Sequence, residues 1–125
     1  AWQLWRLTNG RDGMTLVRVD IVYIAGCASW EKTAFLVDQV LGDLRLDGEF
    51  YYWLCESDDQ AWDWDFIGSP TILIDGKDPF RAPDEEPGLR LRSYFSSEKG
   101  LIPYPTYEML RSYLAKYVVD FDDIP

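Results

Sequence analysis

The fold is decided by residues 17–30, which read VRVDIVYIAGCASW. The first part, Val17 to Ile24, is rich in β-branched and aromatic side chains and therefore predicts a central strand. Ser29 is a residue type that favours a helix N-cap, because its hydroxyl can accept a backbone N–H of the first turn. The segment predicts a strand followed directly by a helix, with Cys27 at the junction.

The next elements follow from spacing. Apolar residues recur in steps of three and four from Trp30 to Leu44, which predicts one face of a helix. Residues 49–55 (EFYYWLC) predict a second strand, so a parallel βαβ unit with a right-handed crossover is expected. A short or irregular helix is expected within residues 57–66.

The second half of the chain predicts a hairpin and a last helix. Residues 71–74 (TILI) predict a third strand, and the turn at Asp75-Gly76 returns the chain as a short fourth strand over Lys77–Phe80. Residues 81–105 contain four prolines and predict a long connection, ordered locally at 89–95. Thr106 then caps the last helix.

Composition and charge limit the classes of partner that the chain can bind. The 125 residues carry 22 acidic against 12 basic side chains, a net charge of −10, which disfavours nucleic acid and anionic membranes. No apolar run approaches the roughly 18 residues of a membrane span. Residues 1–13 do not resemble a secretion signal, so a cytoplasmic protein is expected. We interpret 1–13 as an N-terminal extension and 14–125 as a single domain; the aromatic extension and exposed sheet edges favour a homodimer.

The chain has two cysteines and no histidine, which narrows its chemistry. Histidine-dependent triads and histidine metal sites are excluded. The acidic runs match no calcium loop, so no metal site is predicted. Cys27 precedes a helix N-terminus, whose N–H groups favour the thiolate, so an exposed, reactive thiol is expected there. A buried structural cysteine is the alternative for Cys27.

Two segments together carry a resemblance. Residues 23–31 (YIAGCASWE) and 66–80 (FIGSPTILIDGKDPF) resemble a family of small thioredoxin-like proteins that are often labelled alkylmercury-lyase-like. The resemblance runs from about Val17 to Leu114. It implies a thioredoxin-like α/β fold, in which a βαβ unit and a ββα unit build a four-stranded mixed sheet. It also implies that Pro70 is cis and lies against Cys27.

The chain departs from that pattern at two positions. Trp30 stands where a redox thioredoxin has the second cysteine of its Cys-x-x-Cys motif, so a dithiol cycle at this site is excluded. Leu91 stands where relatives tend to carry a further cysteine, which weakens an organomercury function because soft metals need converging thiolates. Cys55 is the remaining thiol. It is expected either as a resolving thiol or, more simply, as a partly buried strand residue.

Three functions remain open. The first is thiol chemistry by Cys27, which would form a mixed disulfide with glutathione, another small thiol or a protein. Trp30, Ser69, Pro70 and Thr71 are the candidate substrate contacts, and no cofactor other than glutathione is expected. The second is a binding module that holds a ligand or partner in the Cys27/Pro70 groove without turnover. The third is thiolate binding of a soft metal such as mercury.

Overall fold

The computed structural model describes residues 15–118. The predicted extension, residues 1–13, lies outside the described residues. Three helices and two sheets follow one another in the order β1 (Leu16–Tyr23), α1 (Trp30–Asp43), β2 (Asp47–Leu54), α2 (Asp58–Trp64), β3 (Thr71–Ile74), β4 (Tyr94–Ser96), β5 (Gly100–Ile102) and α3 (Tyr107–Leu114), with a 3₁₀ turn over Ala115–Tyr117. The predicted α/β class is confirmed.

The main sheet has three strands in the order β2-β1-β3, with β1 at its centre. β1 pairs in parallel with β2 along its whole length, from Leu16 opposite Asp47 to Tyr23 opposite Leu54. β3 pairs antiparallel to β1 on the other side. The predicted central strand and the parallel βαβ unit are therefore confirmed, and the sheet is mixed.

One face of the sheet carries the larger core. Alternate residues of β1 point to opposite faces, and the odd-numbered valines and Ile21 pack beneath α1 and α3. Burying each such side chain contributes about 1.5–3 kcal/mol. The buried members of this core are Val17, Val19, Ile21, Val37, Val40, Leu41, Leu46, Ile72, Ile74, Leu110 and Leu114.

The predicted fourth strand over Lys77–Phe80 is wrong. Asp75 and Gly76 form the expected tight turn with positive φ angles of 49° and 84°. Lys77 then makes a single isolated bridge to Ile74, and pairing stops there. The main sheet therefore has three strands instead of four.

The physical reason lies in the residues that follow the turn. The Asp78 side chain accepts a hydrogen bond from the Phe80 N–H at 2.9 Å. It also forms an ion pair with Arg92, at 2.7 Å. These bonds curl the chain away from the sheet edge. Pro79 has no N–H with which to continue a ladder.

A second, two-stranded sheet appears within the long connection. β4 and β5 pair antiparallel, with Tyr94 opposite Ile102 and Ser96 opposite Gly100. The sequence predicted local order over residues 89–95 but not this hairpin. Among residues 15–118, no helix has both the length and the apolar character needed to cross a membrane.

Candidate functional site

Cys27 lies in the turn between β1 and α1, as predicted. Its N–H donates a hydrogen bond to the Ile24 carbonyl at 3.2 Å. Gly26 and Ala28 on either side are exposed, whereas Cys27 itself is only 7% exposed. Cys27 belongs to neither of the two apolar core clusters. The expectation of an exposed thiol is therefore corrected: the sulfur is covered, under a turn whose neighbouring residues face solvent.

Ser29 occupies the position before the first residue of α1, but its hydroxyl makes no capping hydrogen bond. Its carbonyl instead accepts a hydrogen bond from the Thr33 hydroxyl at 2.8 Å. The start of the helix was therefore predicted at the right residue, although the side-chain contact differs from the expected one.

The Ser69–Pro70 peptide bond is cis, as the resemblance implied. Ser69, Pro70 and Thr71 are all buried. The Thr71 hydroxyl donates a hydrogen bond to the Gly68 carbonyl at 2.6 Å. These three residues thus form an internal segment at the start of β3.

Hydrogen bonds join the Cys27 turn to this segment. The Ile24 N–H donates to the Ser69 hydroxyl oxygen at 3.1 Å. The Tyr94 hydroxyl donates to the Pro70 carbonyl. Burial raises the pKa of that hydroxyl, and the Arg92 guanidinium opposes this shift. The structure therefore gathers the turn, the cis proline and Tyr94 in one neighbourhood.

The main chain of Ser69 is paired within the protein. Its N–H donates to the Arg90 carbonyl at 2.8 Å, and its carbonyl accepts from the Arg92 N–H at 2.9 Å. The result is a parallel bridge between Ser69 and Leu91. Ser69 was expected as a substrate contact, but its main-chain N–H and C=O bind residues 90–92 in this conformation.

Arg92 and Asp78 form a buried ion pair that the sequence analysis missed. Their side chains are nearly inaccessible, and Arg92 also lies over the Tyr94 ring, 4.5 Å from its centroid. Residues 89–92 read Leu-Arg-Leu-Arg, which suggests leucines inside and arginines outside. The structure departs from this pattern: Leu89 and Arg90 are both exposed, Leu91 is 67% exposed, and Arg92 is the buried residue of the four, at 7%. The alternation of leucine and arginine therefore gave no signal for the buried ion pair.

Trp30 is engaged in an aromatic stack at the start of α1. Its ring lies parallel to that of Tyr23, with centroids 4.2 Å apart, and tilted against Tyr52 at 5.6 Å. Trp30 is half-buried against the larger core. The ring therefore holds the beginning of α1 onto β1 and β2.

Cys55 is buried on the opposite face of the sheet. It packs with Val22, Ala61 and Phe66, and its thiol donates a hydrogen bond to the Ser57 carbonyl at 3.6 Å. Burial raises the pKa of this thiol. Cys27 and Cys55 are both free, so the structure holds no disulfide between them.

Among residues 15–118, no group of three or more His, Cys, Asp or Glu side chains is placed to hold a metal ion. Comparison of the chain with known protein families, with curated proteins and with solved structures found no match.

Proposed function

We propose that this chain is a thioredoxin-like protein whose Cys27 forms a mixed disulfide with glutathione or another small thiol. The element order supports the fold. A parallel β1-α1-β2 unit is followed by an antiparallel β3 and a C-terminal helix that packs with α1 on the same face. The absent fourth strand is the departure from the expected thioredoxin core.

One observation carries the functional proposal. The segment that carries Cys27, between the first strand and the first helix, is hydrogen-bonded through the Ile24 N–H to Ser69, the residue before the cis proline. A thiol near the start of a helix is favoured as the thiolate, which is the nucleophilic form.

The chemical step requires one thiol. The Cys27 thiolate attacks one sulfur of oxidised glutathione, a new S–S bond forms, and the second glutathione leaves as its thiolate. A further molecule of reduced glutathione reverses the step. Neither direction needs Cys55, which agrees with its burial on the other face of the sheet.

Access to the sulfur depends on the turn that covers it. Gly26 has a φ of +80° and nothing lies within 4 Å of where its Cβ would be. Ala28 is exposed. The reaction requires residues 25–28 to move towards solvent, and none of these four residues belongs to either core cluster.

The test is the reaction of the folded protein with oxidised glutathione, followed by intact mass spectrometry. We expect one adduct on the wild type and on Cys55→Ser, and none on Cys27→Ser. Failure of folded wild type to form the adduct at any pH would overturn the proposal.

The second candidate is a binding module without turnover, and the low exposure of Cys27, 7%, favours it over thiol chemistry. A binding module needs no accessible thiol, so a small thiol or peptide that binds wild type and Cys27→Ser with equal affinity would favour this function. Soft-metal binding ranks last, because the two thiols lie in different environments.

A further inference from the structure

β2 offers an unpaired edge. Within residues 15–118, β1 lies on one side of β2 and no strand lies on the other. The N–H of Asp47 and the N–H of Cys55 both donate to β1, at 2.8 and 2.7 Å. Because the N–H and C=O groups of successive strand residues point to opposite sides, the odd-numbered residues of β2 bond to β1. The even-numbered ones, Gly48, Phe50, Tyr52 and Leu54, point their N–H and C=O groups outward.

The same strand is unusually apolar for an edge. Its last four residues, Tyr51 to Leu54, are all exposed large side chains, with Tyr52 at 50%. The strand contains neither lysine nor proline, and its ladder with β1 runs without a bulge. Proteins use those devices to keep edges from pairing, so a long edge that lacks them is suited to accept another strand.

We propose that the partner is a second copy of this chain, whose β2 pairs antiparallel with β2 across a two-fold axis at Tyr51. In this register Gly48 lies opposite Leu54 of the second copy, and Phe50 lies opposite Tyr52. All four outward-facing residues then face outward-facing residues, which gives about eight main-chain hydrogen bonds. The two three-stranded sheets become one sheet of six strands.

The charges of the strand select this orientation. Its acidic residues, Asp47 and Glu49, lie at one end, and Phe50 to Leu54 carry no charge. The antiparallel register places Glu49 opposite Trp53 and Asp47 opposite Cys55, so no carboxylate faces another. A parallel pairing in register would instead align acid with acid, which is destabilising.

A competing apolar surface exists on the β4–β5 hairpin. Phe95 and Leu101 are cross-strand neighbours, and Leu101 is 74% exposed. Each strand of that hairpin has only three residues, so it can add few main-chain bonds to a neighbour. The hairpin therefore supplies the matched control.

The first experiment measures mass by sedimentation velocity over a range of protein concentrations. Wild type should associate to a dimer, more strongly as salt is raised, because each copy carries a net charge of −10. Tyr52→Lys should be monomeric at concentrations where wild type and the control Leu101→Lys are dimeric. A dimer lost in Leu101→Lys and kept in Tyr52→Lys would overturn the proposal.

The second experiment tests the register. Two-fold symmetry brings Tyr51 of each copy into a directly opposed pair, close enough for a disulfide after Tyr51→Cys. Residue 52 of one copy is diagonal to residue 52 of the other, too far apart for Tyr52→Cys to form a disulfide. Mild oxidation should cross-link only the first variant, with wild type as the control for Cys27 and Cys55. Equal cross-linking of both variants would contradict the register.

Hydrogen exchange tests whether another segment of the same chain covers the edge of β2. A monomeric wild type whose Phe50 and Tyr52 amides are nevertheless protected would mean that another segment of the same chain covers the edge, and would overturn the proposal. In the dimer, protection of these two amides should be lost on dilution.

Discussion

The guanidinium of Arg92 contacts the carboxylate of Asp78 at 2.7 Å and at 3.3 Å, and both side chains are more than nine-tenths buried. This pair ties residues 90–96 to the loop after β3. It also brings Tyr94, which lies against the Arg92 guanidinium, to the Pro70 carbonyl. The ion pair therefore positions one wall of the candidate site.

Removing one partner of this pair should be strongly destabilising, because the remaining charge stays buried without compensation. We expect Arg92→Met to lower the free energy of unfolding by about 3–5 kcal/mol in urea denaturation. Arg81→Met is the matched control, since Arg81 pairs with an Asp65 side chain that is largely exposed. The control should lose less than about 1 kcal/mol. Equal losses in the two variants would contradict the role given to Arg92.

Because the Tyr94 hydroxyl is buried, we expect the free energy of unfolding to fall at alkaline pH. Burial raises its pKa above the ordinary value of 10.0, so the unfolded chain loses this proton near pH 10 while the folded chain keeps it. The stabilisation that comes from keeping the Tyr94 hydroxyl protonated in the fold is fully present below pH 10 and is lost as the pH rises further. Tyr94→Phe should reduce the loss by up to about 1.4 kcal/mol per pH unit.

Urea denaturation between pH 8 and pH 11 checks this expectation. At pH 8, Tyr94→Phe should also cost about 1–3 kcal/mol because the Pro70 carbonyl loses its donor. A Tyr94→Phe slope identical to that of wild type would show that another group causes the alkaline loss.

The elements that local pattern decides were predictable, and those that depend on distant partners were not. Val17 to Ile24 is rich in β-branched and aromatic residues and forms β1 within one residue of the expected bounds. Lys77–Phe80 follows a strong turn signal, yet it leaves the sheet because Asp78 binds Arg92, fourteen residues further along the chain. Likewise, nothing local distinguishes the buried Arg92 from the exposed Leu91.

The same distinction between local pattern and distant partners applies to the candidate site. The position of Cys27 was expected from the local pattern, and the cis bond at Pro70 was expected from the family resemblance. The burial of Cys27 was not expected, because burial depends on tertiary packing. The hydrogen bond from Tyr94 to Pro70 joins residues 24 positions apart, and no local signal in the connection predicts it.

Gly68 should be intolerant of any side chain. A Cβ at this position would lie 2.7 Å from the Arg92 Cβ and 3.2 Å from its Cα. We expect Gly68→Ala to push residues 90–92 away from Ser69 and to cost about 1–3 kcal/mol of stability. Gly42→Ala, within α1 and with open space around it, should instead stabilise by up to about 1 kcal/mol. A neutral Gly68→Ala would contradict the close pairing of these segments.

The two thiols should react in a fixed order. Cys55 is buried among apolar side chains, and burial raises its pKa, so at pH 8 less of it is the reactive thiolate than of an ordinary cysteine. Cys27 lies in a turn, belongs to neither core cluster and has exposed residues on both sides. We expect a small aromatic disulfide reagent to label Cys27 at least about tenfold faster than Cys55 in the folded protein.

Single-cysteine variants separate the two rates, with Cys55→Ala reporting on Cys27 and Cys27→Ala reporting on Cys55. In denaturant both thiols should react alike, because the unfolded chain covers neither of them. In the folded protein, labelling of Cys55 should follow global unfolding, so urea should speed it far more than it speeds labelling of Cys27. If native Cys55 were labelled as fast as Cys27, the covering turn would not be the more easily opened of the two environments.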